Sequence, residues 1–186
     1  MSDPINTLMN EHQVIKNVLE ALAGYAERLE RHGDADRAEL LKFTDFFAHY
    51  ADQLHHGKEE DILFAEMANH GFSPQYGPVA VMLAEHEHGR RCVGVLRVAG
   101  EQAGQPWTSD EARHVVDTAR EYIVLLGSHI DKEDNILYPM AQSHIPYTVM
   151  QNMATTFDRM AQGEPAAAEK RLLTLADELS AVYSNV

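Results

Sequence analysis

Eleven of the 186 residues are histidine, and imidazole is both the side chain that titrates near neutrality and the commonest metal ligand. Their placement is ordered. Sliding the chain along itself by 74 residues lays Glu11-His12 on Glu85-His86 and His55 on His129. At the same offset His55-x-x-Lys58-Glu59-Glu60-Asp61-Ile62-Leu63-Phe64 falls on His129-x-x-Lys132-Glu133-Asp134-Asn135-Ile136-Leu137-Tyr138. Each half carries a Glu-His pair and, the same distance later, a His-x-x-x-Glu pair. One match could be chance; several polar and apolar matches at one offset argue for two similar halves.

On a helix, residues i and i+4 share one face. His55 with Glu59, and His129 with Glu133, each offer an imidazole beside a carboxylate, and His12 and His86 add one imidazole per half. Four imidazoles and two carboxylates suit iron, manganese or zinc, and two metals bridged by two carboxylates would satisfy both halves. Two glutamates in a helical core without cations would be strongly disfavoured. Periodicity alone leaves the inward pair of the second helix open. Its apolar stripe of Phe43, Phe47, Tyr50 and Leu54 runs between the His55/Glu59 and His56/Glu60 directions. The repeat favours His55 and Glu59, because His56 matches Ile130. His56 is either an additional ligand to one metal or a histidine standing behind the ligands. Asp134, five residues after His129, is the alternative to Glu133.

These residues need long helices to hold them. Apolar residues recur at spacings of three and four, with very little alternation of period two. Ile5, Leu8, His12, Ile15, Leu19 and Leu22 form one stripe, broken at His32-Gly33-Asp34. A second helix is expected over about 35–69, a third over about 79–103, and a fourth, opened by the Thr108/Glu111 capping pattern, to about Ala141. Short loops between long helices predict an all-α, up-down-up-down four-helix bundle over residues 1–145. Residues 146–186 are expected to add two short helices, about 146–160 and 166–183, packed on the bundle.

Composition narrows the function. The formal net charge of −14 argues against nucleic acid or an anionic membrane as the main partner and suits a protein that attracts cations. The single cysteine, Cys92, rules out an intramolecular disulfide and any Cys-rich zinc module. The opening residues lack the basic and apolar regions of a signal peptide, and no run of 18 apolar residues exists, so a cytoplasmic location is expected. Whether the chain is a monomer or a homodimer is left open.

The combined motifs resemble the hemerythrin-like (HHE cation-binding) family. The resemblance rests on Asn10-Glu11-His12, on His55 to Phe64, on Met82 to Arg90 and on His129 to Asp134. It implies a four-helix bundle around a non-haem di-iron centre with two carboxylate bridges and an oxo or hydroxo bridge. Carried over by motif, the ligands are His12, His55, Glu59, His86, His129 and Glu133. Oxygen-carrying members have a histidine where this chain has Met82, and a His-x-x-x-x-Asp pair where it has His-x-x-x-Glu. One iron then lacks a histidine unless His56, His88 or a tyrosine replaces it. That favours binding of, or reaction with, dioxygen, peroxide or NO over pure oxygen carriage; an iron store or redox sensor without turnover is the alternative.

Other residues receive plainer readings. Met82 is expected in the core, as are Tyr25, Tyr50, Tyr122 and Cys92. His88, Arg90 and Arg91 are read as surface residues, and so are Glu11 and Glu85. His70 and His144 fall at helix ends, where imidazole complements the C-terminal dipole. His32, His49 and His114 are read as surface histidines or as standing behind the ligands. Trp107 is expected to pack at a loop.

Overall fold

The computed structural model describes residues 3–102 and 104–183. Ala103, the expected end of the third helix, and residues 184–186 lie outside the described set. Among the described residues six helices follow in order: α1 (Pro4–His32), α2 (37–69), α3 (Pro78–Gly100), α4 (109–144), α5 (Tyr147–Met160) and α6 (Glu164–Tyr183). No strand occurs among the described residues.

The helix ends follow local chemistry. Asp3 caps α1 by accepting from the Ile5 N–H, with Pro4 at the first helical position, and Gly33 closes it at φ 65°. Asp36, not Ala35, opens α2, because its carboxylate accepts from the Ala38 N–H. The capping box read from the sequence opens α4: Glu111 N–H donates to Thr108, and Thr108 N–H donates to Glu111. Helix α3 stops at Gly100, α4 runs on to His144, and α6 starts at Glu164.

Helices α1 to α4 form the bundle: α1 packs on α4, α4 on α3, and α3 on α2. Helix α6 lies across α1 and α2, and α5 packs on α1. The apolar residues form two clusters. One gathers Leu22, Tyr25, Phe43, Phe47, Leu96 and Tyr122 with Leu172 and Leu179 of α6. The other gathers Ile5, Leu63, Met82, Leu137 and Tyr138 with Met153 and Phe157 of α5. Along each bundle helix, the stretch between the clusters is where His12, His55 to Glu59, His86, and His129 to Glu133 fall. A polar layer is thus closed above and below by apolar packing.

Helices α2 and α4 are not α-helical throughout. Over 47–56, 59–63 and 133–137 the hydrogen bonds widen to span five residues, as where the Phe64 N–H donates to Glu59 O and the Tyr138 N–H donates to Glu133 O. Such wide turns cost hydrogen-bond quality and concentrate at functional sites. The turns at 59–63 and 133–137 are related by the 74-residue repeat. The stretch over 47–56 has no counterpart in α4, and it brings His56 inward beside His55.

A candidate dinuclear metal centre

Each bundle helix supplies donors to the layer. His12 comes from α1, His55, His56 and Glu59 from α2, His86 from α3, and His129 and Glu133 from α4. All seven are buried, and both glutamates are fully excluded from solvent. Two overlapping groups form, in each of which one ligand atom per residue lies within 4.8 Å of the others: His12, His55, Glu59 and Glu133; and His56, Glu59, His86 and His129. Glu59 belongs to both. Its Oε2 is 3.7 Å from His55 Nε2 and 3.4 Å from His86 Nε2. Glu133 turns Oε2 to His12 Nε2 at 3.2 Å and Oε1 to His129 Nε2 at 3.2 Å. The six residues of the sequence reading therefore converge, and His56 joins them.

Five of the donor atoms lack an aligned protein partner among the described residues. His55 Nε2, His56 Nε2, Glu59 Oε2 and both Glu133 oxygens are buried without an aligned hydrogen-bond partner among the described residues. Buried polar atoms are otherwise almost always satisfied, so five together need a ligand. The Nε2 atoms of His86 and His129 face each other at 3.0 Å, two lone pairs that only a proton or a cation can separate. Lone pairs of nitrogen and oxygen closing on shared points fit metal ions.

Behind the donors stands a second tier, and behind that a third. The His55 ring Nδ1 bonds Glu11 at 2.9 Å, and Glu11 is held by Lys58. His129 Nδ1 bonds Glu85 at 2.9 Å, and Glu85 is held by Lys132. His12 Nδ1 bonds Asp134 at 2.7 Å, and Asp134 takes Lys16 at 3.1 Å. His86 Nδ1 bonds Glu60 at 2.7 Å, and Glu60 takes Arg90 at 2.6 Å. Every imidazole, carboxylate and cation in these four chains maps onto its counterpart at the 74-residue offset. A carboxylate on Nδ1 fixes the ring and leaves the Nε2 lone pair for a metal. His56 has a looser version, with Asp52 at 3.4 Å and Arg90 on Asp52 at 2.9 Å.

Two residues break the two-fold pattern. His56, where the other half has Ile130, stacks on His86 with centroids 3.7 Å apart. Tyr138, where the other half has Phe64, stacks on His12 and donates its hydroxyl to Glu59 Oε1 at 2.6 Å. Each half of the centre thus gains one different polar group.

The electrostatics are those of a strongly coupled site. Burial pushes His12 and His86 down, but the carboxylates around them, Asp134 and Glu133 for the first and Glu59 and Glu60 for the second, raise both to about 9. Burial and the neighbouring His86 push His56 down to about 4. Burial favours a neutral Glu59, yet His55 and His86 hold it well below the usual carboxylate range. Burial, then Glu59 and Glu133, push the Tyr138 hydroxyl well above the ordinary tyrosine range.

A cavity of about 190 Å³ leads to one side of the layer, with His56, His86 and His129 among its lining residues. Its walls include Phe47, Gly89, Val93, Gly94, Tyr122 and Leu126. Gly89 keeps the wall thin, since a Cβ there would stand 3.3 Å from the Tyr122 ring.

Several sequence expectations need correction. Glu11 and Glu85 do not face solvent: Glu11 is buried and Glu85 half-buried, and each serves the histidine of the neighbouring helix. Arg90 is not an ordinary surface charge, because it ties Asp52 to Glu60. Asp134 stands behind His12 instead of replacing Glu133. Met82 lies in the apolar cluster, as expected. His88 sits at the surface and bonds Glu121. His70 and His144 bond the Glu66 and Met140 carbonyls at helix ends. Trp107 packs under the Arg37 guanidinium and donates to the Ala35 carbonyl. Tyr138 was missed, and its one signal was the Phe64/Tyr138 mismatch in an otherwise matched stretch.

Fold and site together define a helical bundle built to hold cations. A family model for the hemerythrin HHE cation-binding domain matches residues 3–141, so the chain belongs to the hemerythrin HHE family. No curated protein and no solved structure matches the chain. No helix among the described residues is long and apolar enough to cross a membrane.

Proposed function

We propose that this chain is a non-haem di-iron protein that binds or reacts with a small ligand, dioxygen, peroxide or NO, at a carboxylate-bridged centre. The observation that supports it is the sharing of Glu59 by both donor groups, with the two oxygens of Glu133 turned one to each side. On this reading His12, His55, Glu59 and Glu133 hold one ion, and His56, His86 and His129 with the same carboxylates hold the other. Residues 1–145 form the metal-binding bundle and residues 146–186 a helical extension. The HHE family binds cations, commonly iron, which favours iron over manganese or zinc. Two bound irons would supply exchangeable electrons and a Lewis-acidic point of attachment for the small ligand.

The chain's own residues do the rest. The carboxylates on Nδ1 keep each imidazole in one tautomer and one orientation. Tyr138 holds its proton on the hydroxyl, aimed at Glu59 Oε1, and so steadies one oxygen of a shared carboxylate. Phe47, Val93, Tyr122 and Leu126 give the approach a largely apolar wall, with Asp52, Glu85, Arg90 and Arg97 also lining it, and a passage of this size suits small molecules. The test is peroxide consumption and NO-dependent spectral change by ferrous-loaded protein mixed under anaerobic conditions. Wild type is expected to respond to at least one of them, with the rate reduced at least about 100-fold in Glu59→Ala, in line with losing a metal-dependent step. Iron-loaded wild type that is inert to peroxide, NO and dioxygen alike would overturn the reading in favour of an iron store.

A further inference from the structure

We infer that His88, Cys92 and Glu121 form a separate metal site, for a borderline-soft divalent cation of the zinc type, joining the surfaces of α3 and α4. His88 and Cys92 stand at i and i+4 on α3 and therefore share a face. Glu121 meets them from α4. One donor atom from each of the three lies within 4.8 Å of the others. The His88 ring Nε2 is 2.6 Å from Glu121 Oε1.

The thiol is the telling partner. Cys92 is only 5% exposed and is not in a disulfide, and its sulfur lies within 4.8 Å of donor atoms of both His88 and Glu121. A bare ion pair at the surface would need no sulfur beneath it. None of the three residues belongs to either donor group of the buried centre. His88, two positions beyond His86, points to another side of α3.

The donor chemistry selects the cation. Thiolate, imidazole and carboxylate together suit zinc, with a fourth position left for water, and disfavour magnesium and calcium, which take oxygen ligands. Tetrahedral donors at about 2.0–2.3 Å from the ion sit roughly 3.3–3.7 Å apart. His88 and Glu121 would part by about 1 Å to admit it, and both are exposed enough to move. The ion would also bear on the cavity. Gly89, Val93 and Tyr122 line that cavity, and each directly follows one of the three ligands in the chain. A cation here would fix the spacing of α3 and α4 at the cavity wall.

The experiment titrates zinc, and separately cobalt(II) as its spectroscopic stand-in, into the full chain carrying its resident metal. Elemental analysis after desalting counts all metals. The expected result is one further ion per chain, a thiolate-to-cobalt charge-transfer band in the near ultraviolet, and unchanged resident metal. Cys92→Ser should abolish the band and the further ion, and Glu121→Gln should weaken binding at least about 10-fold. Should Cys92→Ser disturb the bundle, His88→Ala, at a partly exposed position, carries the same expectation of a lost ion. Absence of a further ion in wild type, or a further ion that persists in both Cys92→Ser and His88→Ala, would overturn the inference.

Discussion

Seven buried side chains meet at the centre, and what distinguishes them from ordinary buried polar groups is the tier behind them. Glu11 and Glu85 perform the same task in the two halves, but their surroundings differ. Glu11 is paired with Lys58, whose side chain is 6% exposed, whereas Glu85 is paired with Lys132 at 37%. Neutralising Glu11 strands a buried ammonium, which costs about 3–5 kcal/mol, while the exposed pair is worth about 0–1 kcal/mol. Glu11→Gln is therefore expected to destabilise the metal-free protein by several times more than Glu85→Gln in denaturant titration. Both should weaken metal binding by about 10–100-fold, because each releases one ligand ring. Equal losses of stability in the two variants would contradict this ranking. The convergence of the six repeated donor residues was legible from spacing because the repeat compares like with like. The tier behind them was harder to see, since Glu11 adjoins His12 in sequence but serves His55 across the bundle. Its trace was nonetheless present: Glu11 and Lys58 have matched partners in Glu85 and Lys132.

At the scale of the element, α2 does what no regular helix would. Its widened turns bring both His55 and His56 to the layer. The sequence showed this only as an apolar stripe that fitted neither direction, because hydrophobic periodicity assumes a constant turn. The positions of the helices were legible from glycines, prolines and capping residues; their winding was not, since no residue type marks it. Helix α3 contributes the wall of the cavity through Gly89 and Gly94. A Cβ at Gly94 would meet nothing within 4 Å, so a larger side chain there can project into open space. Gly94→Phe should fill much of the approach while leaving the ligands in place. The expected outcome is unchanged metal content with stopped-flow NO or peroxide association slowed about 10-fold or more, since access and not chemistry is altered. An unchanged association rate, with metal content intact, would place the route elsewhere.

Across the whole molecule, a polar layer separates two apolar clusters, with α6 closing one and α5 the other. The four-helix arrangement was legible from the sequence; the docking of the tail helices at opposite clusters was not, because their stripes show only that one face is buried. A buried layer with five unpartnered donor atoms ties stability to its cations. Ions present at about 1,000 times their dissociation constant add about 4 kcal/mol. For a chain of this length that corresponds to a melting shift of about 10 °C. Removing metal with a chelator should lower the melting temperature by that order, and readdition of ferrous ion should restore it. The most direct measurement is metal content per chain after anaerobic reconstitution with ferrous ion, together with the absorption spectrum in air. The account predicts two irons per chain, with near-ultraviolet bands of a bridged ferric pair, and a sharp drop in Glu59→Ala. Failure to take up iron, or uptake of two irons undiminished in Glu59→Ala, would contradict a centre built on shared carboxylates.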